Sequence, residues 1–413
     1  MTGLNLQSAA IADHETLSRS RDPSQLLDSL NRSASELKVW LHDCALPLWL
    51  AEGFHGPDGG YSETLTLTGQ ATTTHRRSRV HPRQVFCFAE AGNRGWGGEW
   101  QNAVERGFDY YDRTYQLPNG FYASLADHEG RVLDESFDLY NQAFAILAYA
   151  HIAKAQPHRR SELGPRATQM LNNLKAAYAH PKAGFEEASP RKLPLCSNPH
   201  MHLFEAAMAC ETQAGFDHEI WRAQADDIAE LCLTHFIDPE SGGLREFFDG
   251  EWKPHPDARG RIMEPGHQFE WAWLLTRWAI SRNRPDALQK AKRLFEIGEG
   301  HGLCPVRKVA VMALLDDFSV HDPLARLWPQ TEWLKSAMLL AVITEGQERQ
   351  AYLASAMRAV HALQLFLDVP LKGLWRDKLK ADGSFVDEDA PASSFYHIVC
   401  AIYELEDCLA RLA

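Results

Sequence analysis

Two short stretches of the chain combine residue types suited to moving protons. In Glu264-Pro-Gly-His267-Gln-Phe-Glu270-Trp271-Ala-Trp273, proline and glycine open a helix and His267 falls in its first turn. His267 and Glu270 are three apart and share a helix face, so the carboxylate is expected to orient the imidazole and raise its basicity. Ser393-Ser394-Phe395-Tyr396-His397 places a second histidine at a matching point of the last helical segment. Imidazoles titrate near neutrality, as general acid–base catalysis requires. Taken singly, either histidine is more often a hydrogen-bonded core residue; their common placement brings the catalytic reading level with that one.

A third stretch, Asn198-Pro-His200-Met-His202-Leu-Phe-Glu205, suggests metal at first sight. Residues two apart do not share a helix face, so His200 and His202 cannot chelate one ion. Asn198 and His202 are four apart and suit hydrogen bonds to hydroxyls, with a plain N-cap as the alternative for Asn198. No metal and no cofactor are expected. Arg83-Gln84 follows the basic loop Arg76-Arg77-Ser-Arg79. A fixed guanidinium at Arg83 would stabilise developing negative charge, whereas the loop reads as a solvated charge run. Trp328, Trp333 and Trp375 are candidates for stacking on a sugar face, although tryptophan is more often core.

These residues recur in phase with an internal repeat. A glycine followed by an apolar residue and a short extended run appears six times, at Gly60-Tyr61, Gly120-Phe121, Gly184-Phe185, Gly243-Leu244, Gly302-Leu303 and Gly373-Leu374. Between these turns the apolar spacing is helical, as in Phe137, Tyr140, Phe144, Leu147 and then Leu163, Ala167, Leu171, Leu174. Each unit therefore holds two helices. First-of-pair helices are predicted near 82–91, 199–213, 267–280, 329–343 and 391–409, with partners near 98–115, 217–236, 285–299 and 348–367. The last is expected to return to the opening helix near 24–49.

Six helical hairpins either stack openly or close into a ring. An open array needs polar ends, yet the first helix carries Leu37, Trp40, Leu41, Leu46 and Trp49. The expected fold is all-α, an (α/α)6 barrel of about twelve helices with short β-hairpin-like turns. Residues 1–22 are expected to be a mobile tail and 23–413 one catalytic domain. Arg83, Tyr140, His202, His267, Glu332 and His397 follow their repeat glycines at comparable distances, so closure would bring them to one mouth as a candidate active site.

Composition excludes several other roles for the 413 residues. A net charge of -13 opposes nucleic acid and anionic membrane surfaces. The longest apolar run, Ala337 to Thr344, is too short to span a bilayer. The polar N-terminus lacks a signal pattern, and eight scattered cysteines without a C-x-x-C pair read as reduced thiols, so the expected location is cytoplasmic.

The motifs Arg83-Gln84-Val85-Phe86, Asn198 to Glu205, Pro265 to Trp271 and Phe395-Tyr-His397, with the repeat plan over roughly 24–412, resemble the N-acylglucosamine 2-epimerase superfamily, which includes mannose isomerases and cellobiose 2-epimerases. The resemblance implies an (α/α)6 barrel, His267 and His397 as the acid/base pair with Glu270 supporting His267, and Arg83 facing the reacting oxygens. It also implies that Asn198 and His202 hold substrate hydroxyls. Glu264, Tyr140, Trp328, Glu332 and Trp375 complete the expected substrate contacts.

The implied chemistry is proton removal at C2 through a cis-enediolate, giving a ketose or the 2-epimer with no metal or redox cofactor. The run Pro265 to Trp273 looks most like bacterial mannose isomerases, including those labelled mannose-6-phosphate isomerase; interconversion of mannose and fructose is the first expectation and N-acylglucosamine epimerisation the second. The partner is a small sugar, with homodimers plausible. A glycoside hydrolase using Glu246, Glu264, Glu270 and Glu332, or a non-catalytic helical binding protein, are the competing classes.

Overall fold

The structure, a computed structural model, describes residues 23–54 and 59–413. The expected tail at 1–22 lies outside them.

Twelve helices are present among the described residues. Six are buried almost all round: α2 (Val80–Asn93), α4 (Leu139–Ala155), α6 (Ser197–Thr212), α8 (Pro265–Arg282), α10 (Leu327–Ile343) and α12 (Ser393–Leu412). Each packs on the next, and α12 packs on α2, so the inner ring closes. The outer helices are α3 (Trp100–Tyr115), α5 (Arg160–Tyr178), α7 (His218–Leu231, continued by a π-helical turn Cys232–Phe236), α9 (Pro285–Gly302) and α11 (Gly346–Leu367). They are amphipathic. The inward face of α3, for example, carries Val104, Phe108, Tyr111 and Tyr115.

The sixth outer position belongs to α1, formed by Pro23–Val39, a π turn Trp40–Ala45 and Leu46–Ala51. Pro47 has no N–H for the carbonyl of Asp43, and the wider turn falls where that helical bond would be lost. Helix α1 packs against α11 and α12. Trp49 stacks on Trp375 with ring centroids 4.9 Å apart and donates Nε1–H to the Gly373 carbonyl. Gly373 has φ 98°, and a Cβ there would stand 2.8 Å from the Cys44 backbone, so only glycine lets the last repeat approach the first helix this closely.

All twelve short strands among the described residues lie in the connections from an outer helix to the next inner one, which places them at one end of the barrel. Most pairs join neighbouring repeats: β2 (Arg76–Arg77) with β3 (Leu125–Ala126), β5 (Leu195–Cys196) with β6 (Phe247–Phe248), β7 (Ile262–Met263) with β8 (Ala313–Leu315), and β10 (Ala325–Arg326) with β11 (Lys378–Leu379). Local hairpins also occur, β3 with β4 (Val132–Asp134) and β8 with β9 (Val320–Asp322). The ring of strands closes as the helices do, with β1 (Thr64–Leu65) pairing antiparallel to β12 (Ala390–Pro391). Helix α12 consequently starts at Ser393, not at Pro391.

A clamp recurs under these strands. The Gln142 side chain accepts from Tyr122 N–H at 2.9 Å and donates to its carbonyl at 3.0 Å, and Gln268 and Gln330 do the same for Leu244 and Ala310. In two repeats histidine takes the place of glutamine. His200 Nε2 accepts from Phe185 N–H at 2.9 Å while Nδ1 meets the Cys196 carbonyl, and His81 Nε2 accepts from Tyr61 N–H. His200 thus holds a turn in place, as its separation in facing from His202 requires.

Candidate active site

A cavity of about 410 Å³ opens at the strand-bearing end of the inner ring. Its walls include Arg83, Tyr140, Asn198, His202, Glu264, His267, Glu270, Trp328 and His397. The fold therefore brings together nine of the residues singled out from sequence, from helices α2, α4, α6, α8, α10 and α12. Glu332 and Trp375 are absent from the lining.

His267 is buried, and its Nδ1 lies 2.9 Å from Glu246 Oε2 and 3.5 Å from Glu264 Oε2. Glu246 sits in the connection before β6 and is itself fixed by the Ser197 hydroxyl at 2.9 Å. The partner expected from helical spacing, Glu270, does not reach His267. It turns instead toward α6, with Oε1 3.9 Å from His202 Nδ1. Burial alone would lower the His267 pKa, but the Glu246 and Glu264 carboxylates raise it to about 10. His267 is an imidazolium at neutral pH. Burial in turn pushes the Glu264 carboxyl up to about 7.

His397 is the opposite case. Its Nδ1 lies 2.8 Å from Glu332 Oε1, and Glu332 Oε2 accepts from Lys335 Nζ at 2.7 Å. Because Lys335 already matches the Glu332 charge, the carboxylate orients the ring without charging it. Burial, then the nearby Arg83 and Lys335 cations, hold the His397 pKa well below the ordinary histidine value. Glu332, expected among the substrate contacts, is fully buried beneath His397. With Nδ1 of both histidines engaged, Nε2 of each is left to the cavity.

Trp328 lies between the two histidines, its ring centroid 5.0 Å from that of His267 and 5.7 Å from that of His397. Trp375 does not serve this purpose. It is fully buried in a three-ring cluster with Trp49 and Phe395, where it closes the barrel. Trp333 is likewise core, donating Nε1–H to Ser355 at 2.8 Å.

Arg83 donates to the Ser393 carbonyl at 3.1 Å and to the Tyr140 hydroxyl, and its guanidinium lies 4.1 Å over the Phe144 ring. Held this way, it presents a fixed positive charge to the cavity. Asn198 Oδ1 is buried with no hydrogen-bond partner among the described residues, which leaves an acceptor for a ligand hydroxyl. Burial depresses His202 to about 3, so it meets a ligand as neutral imidazole.

The basic loop, expected to be solvated, contributes to the mouth: Arg77 and Arg79 line the cavity together with Arg326. Each is matched by a carboxylate, Arg77 by Glu63 at 2.5 Å, Arg79 by Asp138 at 2.6 Å and Arg326 by Asp377 at 2.9 Å.

Among the described residues, three groups have ligating atoms close enough to hold a metal ion: Glu246, Glu264 and His267; His202, Glu205 and Glu270; and Glu270, Glu332 and His397. In the first and third the histidine Nδ1 is already hydrogen-bonded to a carboxylate, and in the third Glu332 is already paired with the Lys335 ammonium.

The family model described as N-acylglucosamine 2-epimerase (GlcNAc 2-epimerase) matches residues 59–401. A protein of Rhizobium meliloti (strain 1021) named mannose-6-phosphate isomerase is 60% identical over 383 residues, covering 93% of this chain and 99% of its own. Among solved structures, a D-mannose isomerase superposes with a TM-score of 0.80 at 22% identity over 92% of this chain and 97% of its own. The cellobiose 2-epimerase of Bacillus thermoamylovorans B4167 does so with 0.79 at 16% identity over 91% of this chain and 100% of its own. Both share the (α/α)6 barrel.

Proposed function

The chain belongs to the N-acylglucosamine 2-epimerase family, and from that premise we propose that it is a sugar isomerase interconverting free D-mannose and D-fructose through a cis-enediolate. One observation carries the mechanism. Two histidines flank Trp328 in one cavity, His267 held protonated and His397 held neutral. Titrating groups driven apart by their surroundings divide the acid and base roles.

His267 donates a proton to the ring oxygen and takes back the one released from the anomeric hydroxyl, so the pyranose opens with no net change in protons. His397 Nε2 then takes the C2 proton, made acidic by the C1 aldehyde, and Arg83 stabilises the negative charge that develops on the oxygens. Asn198 and His202 hold hydroxyls, and Trp328 supports the sugar face. Delivery of the proton to C1 gives the ketose, whereas delivery to the opposite face of C2 gives the epimer.

The rim supports an unphosphorylated substrate, although the Rhizobium meliloti relative is named for a phosphate ester. Arg77, Arg79 and Arg326 are each neutralised by a carboxylate, and Glu246 and its His267 partner line the interior as an existing pair, so a phosphate dianion would displace ion pairs already made. Among the described residues no helix is long and apolar enough to cross a membrane, and all eight cysteines are free thiols, which supports the cytoplasm as its compartment.

Incubating the protein with D-mannose, mannose 6-phosphate or N-acetylmannosamine in D2O tests this assignment by proton NMR. The expected result is fructose from mannose, with deuterium entering at C1 or C2, and a loss of about 100- to 10,000-fold in His397→Ala. Turnover of the phosphate ester in preference to mannose would overturn the choice of substrate. Absence of exchange with all three sugars would overturn the reaction itself.

A further inference from the structure

We propose that Glu270 is the proton shuttle that moves a proton between O1 and O2 of the open-chain sugar, a role that rests on the isomerase reaction proposed above. Beneath the cavity lies a layer of three buried carboxylates, Glu205, Glu270 and Glu332, of which Glu270 reaches the lining. Glu270 has an oxygen within 4.8 Å of both His202 and Glu205 on one side, and within 4.8 Å of both Glu332 and His397 on the other.

The two flanking carboxylates are satisfied. Glu332 is held by His397 and by Lys335 at 2.7 Å, and Glu205 accepts from the Tyr396 hydroxyl. Glu270 is 1% exposed, and its Oε1 has no hydrogen-bond partner among the described residues. The other cations near this layer are also committed elsewhere. Arg83 on α2 is bonded to Ser393 and Tyr140, and His267 on α8 is paired with Glu246.

Like charges this close cannot all ionise, and the carboxyl with neither a paired cation nor a hydrogen-bond donor on its buried oxygen takes the proton. Burial first, then the Glu332 and Glu205 charges, push the Glu270 carboxyl well above the ordinary carboxylate range. Glu270 therefore reaches the cavity as a neutral acid, able both to give and to receive a proton.

Converting an aldose to a ketose requires such a group. After His397 removes the C2 proton, the enediolate must gain a proton on O1 and lose the one on O2. Glu270 delivers its carboxyl proton to O1, and its other oxygen takes the proton from O2 as the C2 carbonyl forms. The proton from C2 is returned to C1, so the residue ends in its starting state and no proton is lost. Epimerisation at C2 regenerates the aldehyde and needs no such exchange.

Glu270→Gln separates these steps, because the amide can donate a hydrogen bond in the same place but cannot transfer a proton. With D-mannose in D2O, the variant should keep deuterium exchange at C2 within a few-fold of the native enzyme, while fructose formation falls about 100-fold or more. Equal loss of exchange and ketose, or loss of neither, would overturn the proposal. If the native enzyme itself exchanges no proton, the reaction assignment fails, and the shuttle fails with it. A second measurement needs no variant: infrared spectra of the native protein at pH about 8, where ordinary carboxyls are ionised, should contain a carboxylic-acid carbonyl band that shifts when mannitol binds. A spectrum with no mannitol-sensitive band of that kind would overturn the assignment as well.

Discussion

Glu246 Oε2 lies 2.9 Å from His267 Nδ1, reaching it from the connection that follows the preceding outer helix. The same carboxylate oxygen accepts from Ser197 on α6, so one group ties two inner helices to the histidine. Glu246→Gln keeps the size of the side chain but removes the charge that makes His267 an imidazolium. The alkaline limb of the pH–rate profile, expected near pH 10 in the native enzyme, should move down toward the ordinary histidine value. Mannose turnover at neutral pH should fall about 10- to 100-fold. An alkaline limb that stays in place would show that Glu246 does not set the charge on His267.

Trp328 and Trp375 predict opposite outcomes for the same substitution. Trp328 stands between the two histidines on the cavity wall, so Trp328→Ala should raise KM for mannose with little change in melting temperature. Trp375→Ala removes a fully buried ring stacked on Trp49 and Phe395. It should cost about 3–5 kcal/mol in denaturant unfolding, with KM nearly unchanged in the protein that remains folded. Exchanged phenotypes would contradict both placements.

His200 is predicted to make the protein acid-sensitive. Burial lowers its pKa to about 4 in the folded state, against about 6.5 when unfolded. The unfolded chain binds the extra proton first, so stability is fully present above about pH 6.5 and is lost as the pH falls toward 4. His200→Gln installs the residue that performs the same clamp at positions 142, 268 and 330. Melting temperatures at pH about 7 and about 5 should therefore differ less in the variant than in the native protein. An equal or larger acid shift would exclude His200 as the sensitive group.

The repeat glycines and the phase of the polar residues made the barrel legible in the sequence, because closure converts equal phase into equal height. That logic brought Arg83, Tyr140, His202, His267 and His397 to one cavity, with Glu332 buried beneath it. It failed where partners come from different repeats. The three-residue spacing from His267 to Glu270 describes a single helix, whereas the carboxylate that binds His267 arrives from a connecting segment. A signal for it existed: glutamate recurs three residues after the repeat glycine at Glu63, Glu187 and Glu246. In the structure each is a tether, Glu63 to Arg77, Glu187 to the Cys196 N–H and Glu246 to His267. Trp375 was misassigned for a related reason, since its partner Trp49 lies at the far end of the sequence.

The closing contact between α1 and α12 bears on how the chain can be cut and rejoined. The two helices run antiparallel, with Lys38 paired to Glu406 and His42 to Tyr403, so the start of α1 and the end of α12 both lie at the end of the barrel away from the cavity. A ring has no obligatory starting point, so the order in which the hairpins are encoded is dispensable so long as every neighbour is present. A circular permutant joined between these helices and opened at the tight Asn283 turn, on the same distant end, would retain every inner-ring contact and every cavity residue. Removing α12 would instead break the inner ring, and removing α1 would uncover the faces of α11 and α12 on which it packs.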